Sequence, residues 1–174
     1  VLTDAGRRGG YGAPTIRLAE QLAYLAAQAI DNAQHHALLR SGVCAPADAG
    51  RTILLVDDDA EVRAAMRRIL ERCGYRVLEA WSGRHALTVA RTYDAPIDLV
   101  LTDCIMPELD GRACVEQIRV RRADIGVMYM SGYSRQDISR SGLDISDAPF
   151  LPKPFTPDLL AREVRAVLES CKRN

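Results

Sequence analysis

The rhythm of hydrophobic and polar positions changes at about residue 51. Before it, residues 15–40 are Ala/Leu-rich without Gly or Pro, Pro14 sits just ahead, and Thr15 is placed to cap. One apolar stripe runs through Ile16, Ala19, Ala23, Ala26, Ile30, Ala33 and Ala37, and a second through Leu18, Leu22, Leu25 and Ala29. Adjoining stripes make a broad apolar face, so the spacing predicts one long helix that buries that face. Residues 1–13 are glycine-rich and polar and read as loop, and 41–50 (SGVCAPADAG) have linker composition.

From residue 51 strands and helices alternate. RTILLVD (51–57) is a short apolar, β-branched run. Val62, Ala65, Met66, Ile69, Leu70 and Cys73 follow at helical spacing, and Gly74 is placed to end that helix. YRVLEA (75–80) predicts a second strand, 83–93 a second helix, and IDLVLTD (97–103) a third strand. Asp110 is placed to cap a third helix reaching about Arg121. IGVMYM (125–130) and APFLP (148–152) predict the last two strands, and Thr156 caps a final helix with Leu159, Leu160, Val164, Val167 and Leu168 on one face. Alternating βα units imply a parallel sheet covered on both faces. The predicted fold is α/β, a doubly wound, flavodoxin-like five-stranded sheet of order 2-1-3-4-5 with five helices, plus the N-terminal long helix.

One segment breaks the pattern. SRQDISRSGLDISD (134–147) should hold the fourth helix, yet it has few apolar anchors, mainly Ile138 and Leu143, and its helix propensity is modest. A short or mobile fourth helix is expected.

Composition narrows the function classes. Lys+Arg and Asp+Glu are both 23, so no global charge directs the chain to nucleic acid or to an anionic membrane. No apolar run approaches the roughly 18 residues of a membrane span. The five cysteines form no CxxC pair, which suits reduced thiols and a cytoplasmic location. The first residue is Val1, so a fragment or a processed product of a longer protein is expected.

In a doubly wound sheet, ligands bind beyond the carboxyl ends of the strands, where strand order reverses. Here Asp57-Asp58-Asp59 end the first strand and Asp103 ends the third. Converging carboxylates repel one another, and a hard cation such as Mg²⁺ relieves that cost. Ser131-Gly132 follow the fourth strand and Lys153-Pro154 the fifth. A metal, a hydroxyl and an ammonium around one carboxylate make a phosphoryl-transfer site, with a carboxylate as nucleophile.

ILLVDDD (53–59), LVLTDCIMPELDG (99–111), MSGY (130–133) and FLPKPF (150–155), in this order, resemble the receiver domains of bacterial two-component response regulators. The resemblance covers nearly all of 51–174, including FLPKPFTPDLLAREVRAVL, which looks like receivers at the C-terminus of hybrid histidine kinases or standing alone. It implies that Asp103 is the phosphoacceptor. It implies Mg²⁺ held by Asp57, Asp58, Asp103 and the backbone carbonyl of Ile105, with Ser131 as switch residue, Lys153 as the site lysine before a cis Pro154, and Phe150 as aromatic switch. The implied partner is a histidine kinase or histidine phosphotransfer protein, and the implied catalysis is confined to the domain's own phosphorylation and dephosphorylation. Bulky Ile105 and Tyr133 at the entrance suggest slow self-dephosphorylation.

Blander readings hold elsewhere. Asp59 is read as a helix cap rather than a third metal ligand, Cys104 as a small neighbour of the site, and His85 as an exposed helix residue. His35 and His36 are read as solvated, and Trp81 is given no role. RLAEQLAYLAAQAIDNAQ (17–34) resembles the last helix of GAF sensor domains, or serves as a dimerisation helix. The domain plan is thus 1–40 loop and helix, 41–50 linker, 51–174 receiver, with no nucleic-acid-binding or membrane element expected. The competing functions are an interaction module of the same fold without phosphorylation, and a metal-dependent phosphatase acting on external substrates.

Overall fold

The computed structural model describes residues 50–171. The expected N-terminal helix, the GAF-like stretch within it, nearly all of the 41–50 linker, and His35, His36 and Cys44 lie outside the described residues. Five parallel strands form one sheet: β1 (Thr52–Val56), β2 (Arg76–Ala80), β3 (Leu99–Asp103), β4 (Gly126–Ser131) and β5 (Phe150–Pro152). Their order is β2-β1-β3-β4-β5, as expected from the alternating pattern. Between and after them run α1 (Ala60–Arg72), α2 (Gly83–Thr92), α3 (Gly111–Arg119), α4 (Arg135–Arg140) and α5 (Pro157–Cys171).

Strand residues alternate between two cores, as the period of two requires. Leu54, Val56, Val100, Val127 and Tyr129 face one side with Ala86, Val115 and Ile118. Ile53, Leu55, Leu99, Leu101, Met128 and Met130 face the other with Met66, Leu70, Leu160, Val164 and Leu168. Burial on both faces is why β1, β3 and β4 are continuous apolar runs. The third strand starts later than the 97–103 run suggests. Asp98 N donates to the Thr52 carbonyl, and Asp98 Oδ2 accepts from Thr52 N at 2.8 Å, so Asp98 acts as a staple ahead of β3.

Helix ends follow local chemistry. Asp59, Ser82 and Asp110 cap α1, α2 and α3 by accepting backbone amides. Thr156 Oγ1 accepts from Leu159 N ahead of α5. At the end of α1, Gly74 takes φ 87°, and its amide and that of Tyr75 return to Glu71 and Leu70. Cys104, Cys114 and Cys171 are free thiols, whereas Cys73 is disulfide-bonded, which departs from the all-reduced expectation.

The fourth helix is short, as expected, spanning only Arg135–Arg140. Ile138 anchors it in the core, but the second buried anchor is Ile145, with Leu143 only partly buried. Arginines hold the remainder. Arg135 donates to the carbonyls of Ile145 and Ala148, and Arg112 and Arg119 grip Asp147 at 2.6 and 2.8 Å. His85 is half-buried rather than exposed, because its ring stacks on Trp81 with centroids 3.4 Å apart. Among the described residues no helix is long and apolar enough to cross a membrane.

Candidate functional site

Four strand ends converge. Asp57 and Asp58 follow β1, Asp103 ends β3, Ser131 ends β4 and Lys153 follows β5. Carboxylate oxygens of Asp57, Asp58 and Asp103 lie within 4.8 Å of one another. Asp59 stands apart from that group and caps α1 through Glu61 N and Val62 N.

Backbone and ammonium together hold two of the carboxylates. Asp57 Oδ1 accepts from Asp59 N at 2.9 Å, and Asp103 Oδ1 accepts from Ile105 N at 3.0 Å. Their second oxygens share one cation: Lys153 Nζ lies 2.8 Å from Asp57 Oδ2 and 2.7 Å from Asp103 Oδ2. Each Asp therefore closes a local turn with one oxygen and presents the other to the cleft. The Lys153–Pro154 bond is cis, as the resemblance implied.

Electrostatics follow from this packing. Burial, opposed by Lys153 and reinforced by the Asp103 charge, pushes the Asp57 carboxyl above its ordinary range. Burial works against the Lys153 ammonium, yet Asp103 and Asp57 outweigh it and raise its pKa. Three carboxylates against one ammonium leave a formal charge of −2 (−3 + 1). An all-oxygen donor set with that charge, partly buried, suits a hard dication such as Mg²⁺. Cys104 is fully buried and its thiol is pushed up to about 12, chiefly by burial, so it is an inert neighbour.

The other expected residues sit close by in different states. Ser131 is buried; its Oγ accepts from Tyr133 N at 3.2 Å and its carbonyl accepts from Lys153 N at 2.8 Å. Among the described residues no hydrogen bond joins Ser131 Oγ to the Asp103 carboxylate. Phe150 is half-buried, with the Arg135 guanidinium 5.3 Å from its ring centroid. Ile105 and Tyr133 are each about half exposed at the strand ends.

Three supports were not legible in the chain. Arg63 donates to the Asp57 carbonyl at 2.7 Å and pairs with Glu79 at 3.5 Å, fixing the end of β1. Arg135 joins α4 to Phe150, and nothing in its local sequence marks it. Gly111 lets α3 begin against the end of β3: a Cβ there would collide with the Asp103 carbonyl oxygen. The Asp110-Gly111 pair was visible, but not the contact that requires it.

Comparison with known proteins shows the family. The family profile described as response regulator receiver domain matches residues 53–165. The sensor kinase CckA of Brucella abortus is 37% identical over 118 residues, which are 68% of this chain and 12% of that protein. Response regulator MprA of Mycolicibacterium vanbaalenii is 38% identical over 116 residues, 67% of this chain and 49% of that protein. The chain thus spans about half the length of such regulators and far less of the kinase. Among solved structures, the receiver domain of the hybrid histidine kinase CckA matches with 36% identity and TM-score 0.57, covering 67% of this chain and 98% of that one. The response regulator TrrA of Thermotoga maritima, solved in complex with Mg(2+)-BeF, matches with 28% identity and TM-score 0.55, covering 67% and 98%.

Proposed function

Because the chain belongs to the response regulator receiver family of two-component systems, we propose that Asp103 is its phosphoacceptor and takes a phosphoryl group from a phosphohistidine. The observation that carries the reading is the Asp57–Lys153–Asp103 bridge beside Asp58, in a domain homologous to phosphoacceptor domains. The donor is a histidine kinase or a histidine phosphotransfer protein, met in the cytoplasm. The match to a hybrid-kinase receiver supports a place in a phosphorelay.

In this reading an Asp103 carboxylate oxygen attacks phosphorus. The O–P bond forms as the N–P bond breaks, and the imidazole leaves. Mg²⁺, held by Asp57, Asp58, Asp103 and the Ile105 carbonyl, would neutralise charge on the transferring group. The protein's own contribution is positioning. Ile105 N keeps Asp103 Oδ1 turned inward, and Lys153, 2.7 Å from Oδ2, supplies a positive charge where negative charge gathers. The Ser131 hydroxyl exchanges its bond with Tyr133 N for one to a phosphoryl oxygen. Phe150 follows, because Arg135 ties its ring to α4. Catalysis stops at the domain's own phosphoryl group, with no turnover of external phosphate esters.

Incubation with Mg²⁺ and acetyl phosphate, read by intact mass, should add one phosphoryl group to the wild type and none to Asp103→Asn. An unchanged wild-type mass would favour a receiver-fold interaction module without phosphorylation. Multiple turnover of an external phosphate ester would favour a phosphatase.

A further inference from the structure

We propose that the groove between α2 and α3 is a docking site for an acidic segment of a protein partner that also carries an aliphatic side chain. This surface is independent of the phosphoacceptor reading, since none of Asp57, Asp58, Asp103, Ser131 or Lys153 lines it. The groove encloses about 410 Å³ over a floor that includes Leu87 and Ile118. Arg84, Arg91, Arg121 and Arg122 line it and no carboxylate does. In a chain whose charges balance overall, that is a local excess of positive charge.

The four guanidiniums are not equivalent. Arg122 is committed to the fold, donating to the carbonyls of Ala90, Tyr93 and Ala95 around the end of α2. Arg84 meets Glu108 at 3.1 Å, with both side chains largely exposed. So exposed a pair contributes little, and an incoming carboxylate can replace it. Arg91 and Arg121 make no ion pair among the described residues. Arg84 and Arg91 are two helical turns apart, so they repeat along one wall at roughly 10 Å, and Arg121 stands on the other wall. Free forked donors of this kind bind carboxylates bidentately.

The class of partner follows from what accompanies the charge. Leu87 and Ile118 line the groove beside the arginines, so an aliphatic surface accompanies the guanidiniums. That aliphatic floor offers apolar area that carboxylates alone would leave wet. No aromatic side chain lines the groove to stack a base, which disfavours a nucleotide or single-stranded nucleic acid. Arginines around an aliphatic anchor match a protein interface.

The test is an NMR titration of the ¹⁵N-labelled protein without Mg²⁺, using three probes: a peptide of alternating Glu and Leu, hexaglutamate, and ATP. The Glu–Leu peptide should shift amides of 84–91 and 117–122 saturably and more tightly than the other two. Arg91→Gln with Arg121→Gln should weaken it by about tenfold, and replacing the peptide's Leu by Ser should remove its advantage over hexaglutamate. The double variant should keep the wild-type melting temperature and phosphoryl uptake from acetyl phosphate. Absence of shifts with the peptide, equal binding of hexaglutamate, or tighter arginine-dependent binding of ATP would each overturn the proposal.

Discussion

Lys153 is the lysine among the described residues; every other strongly basic side chain there is an arginine. The site therefore uses a compact ammonium where the rest of the domain uses planar forks. Two carboxylate oxygens under 3 Å from one nitrogen leave little room for a guanidinium. Lys153→Arg should slow phosphoryl uptake roughly 100-fold, the scale of losing one preorganised donor, as measured by the initial rate with acetyl phosphate. Asp57 offers a pH test. Its folded pKa is raised above the ordinary 3.8, so the folded state binds the proton more readily. Its contribution to stability is complete below that ordinary value and declines as pH rises through the folded pKa. Metal-free Asp57→Asn should therefore unfold at higher denaturant than the wild type at neutral pH, and the difference should vanish toward pH 3.8. A variant less stable at neutral pH would contradict the burial argument. Ile105→Asn with Tyr133→Ser should shorten the acyl-phosphate lifetime in a chase experiment, since it removes two bulky side chains from the strand ends beside Asp103.

At the scale of elements, sequence was informative where the chemistry is local. Asp59, Asp110 and Thr156 were legible as caps because a cap is a relation within three residues. The carboxylates were legible because each ends a strand, and the fold brings strand ends together. The grip on the weak α4 region was not legible: Arg112, Arg119 and Arg135 reach across 10 to 35 residues, and the strand-and-helix rhythm carries no trace of such pairings. Nor was the stacking of His85 on Trp81, which depends on how β2 enters α2. Gly111→Ala tests the closest element contact, where α3 starts on the Asp103 carbonyl. Overpacking there should cost about 1–3 kcal/mol in denaturant unfolding and also slow phosphorylation, because the acceptor strand end must shift. In α4, amides of 135–140 should exchange faster than those of β1 and β3, and Ile138→Ala should speed them further.

At the scale of the whole molecule, the site links ligand and stability. If Mg²⁺ binds only the folded carboxylate cluster, a concentration 100 times its Kd should add about 2.7 kcal/mol. The melting temperature should rise with Mg²⁺ in the wild type, fall back with chelator, and stay flat in Asp57→Asn. The sheet order was legible as a whole because alternating βα units with two-sided burial leave few topologies open. The sheet's two margins carry a last consequence. On one side β5 has only three residues and ends in Pro152; on the other, β2 carries Arg76 and Glu79, the latter paired with Arg63 and Arg67. A brief, proline-terminated rim and a charged one are poor templates for an additional strand. Copies of this domain cannot readily zip together into a continuous sheet, even at high concentration. Self-association of the described residues must instead use the outer helices, where contacts are side chain to side chain and reversible by single substitutions.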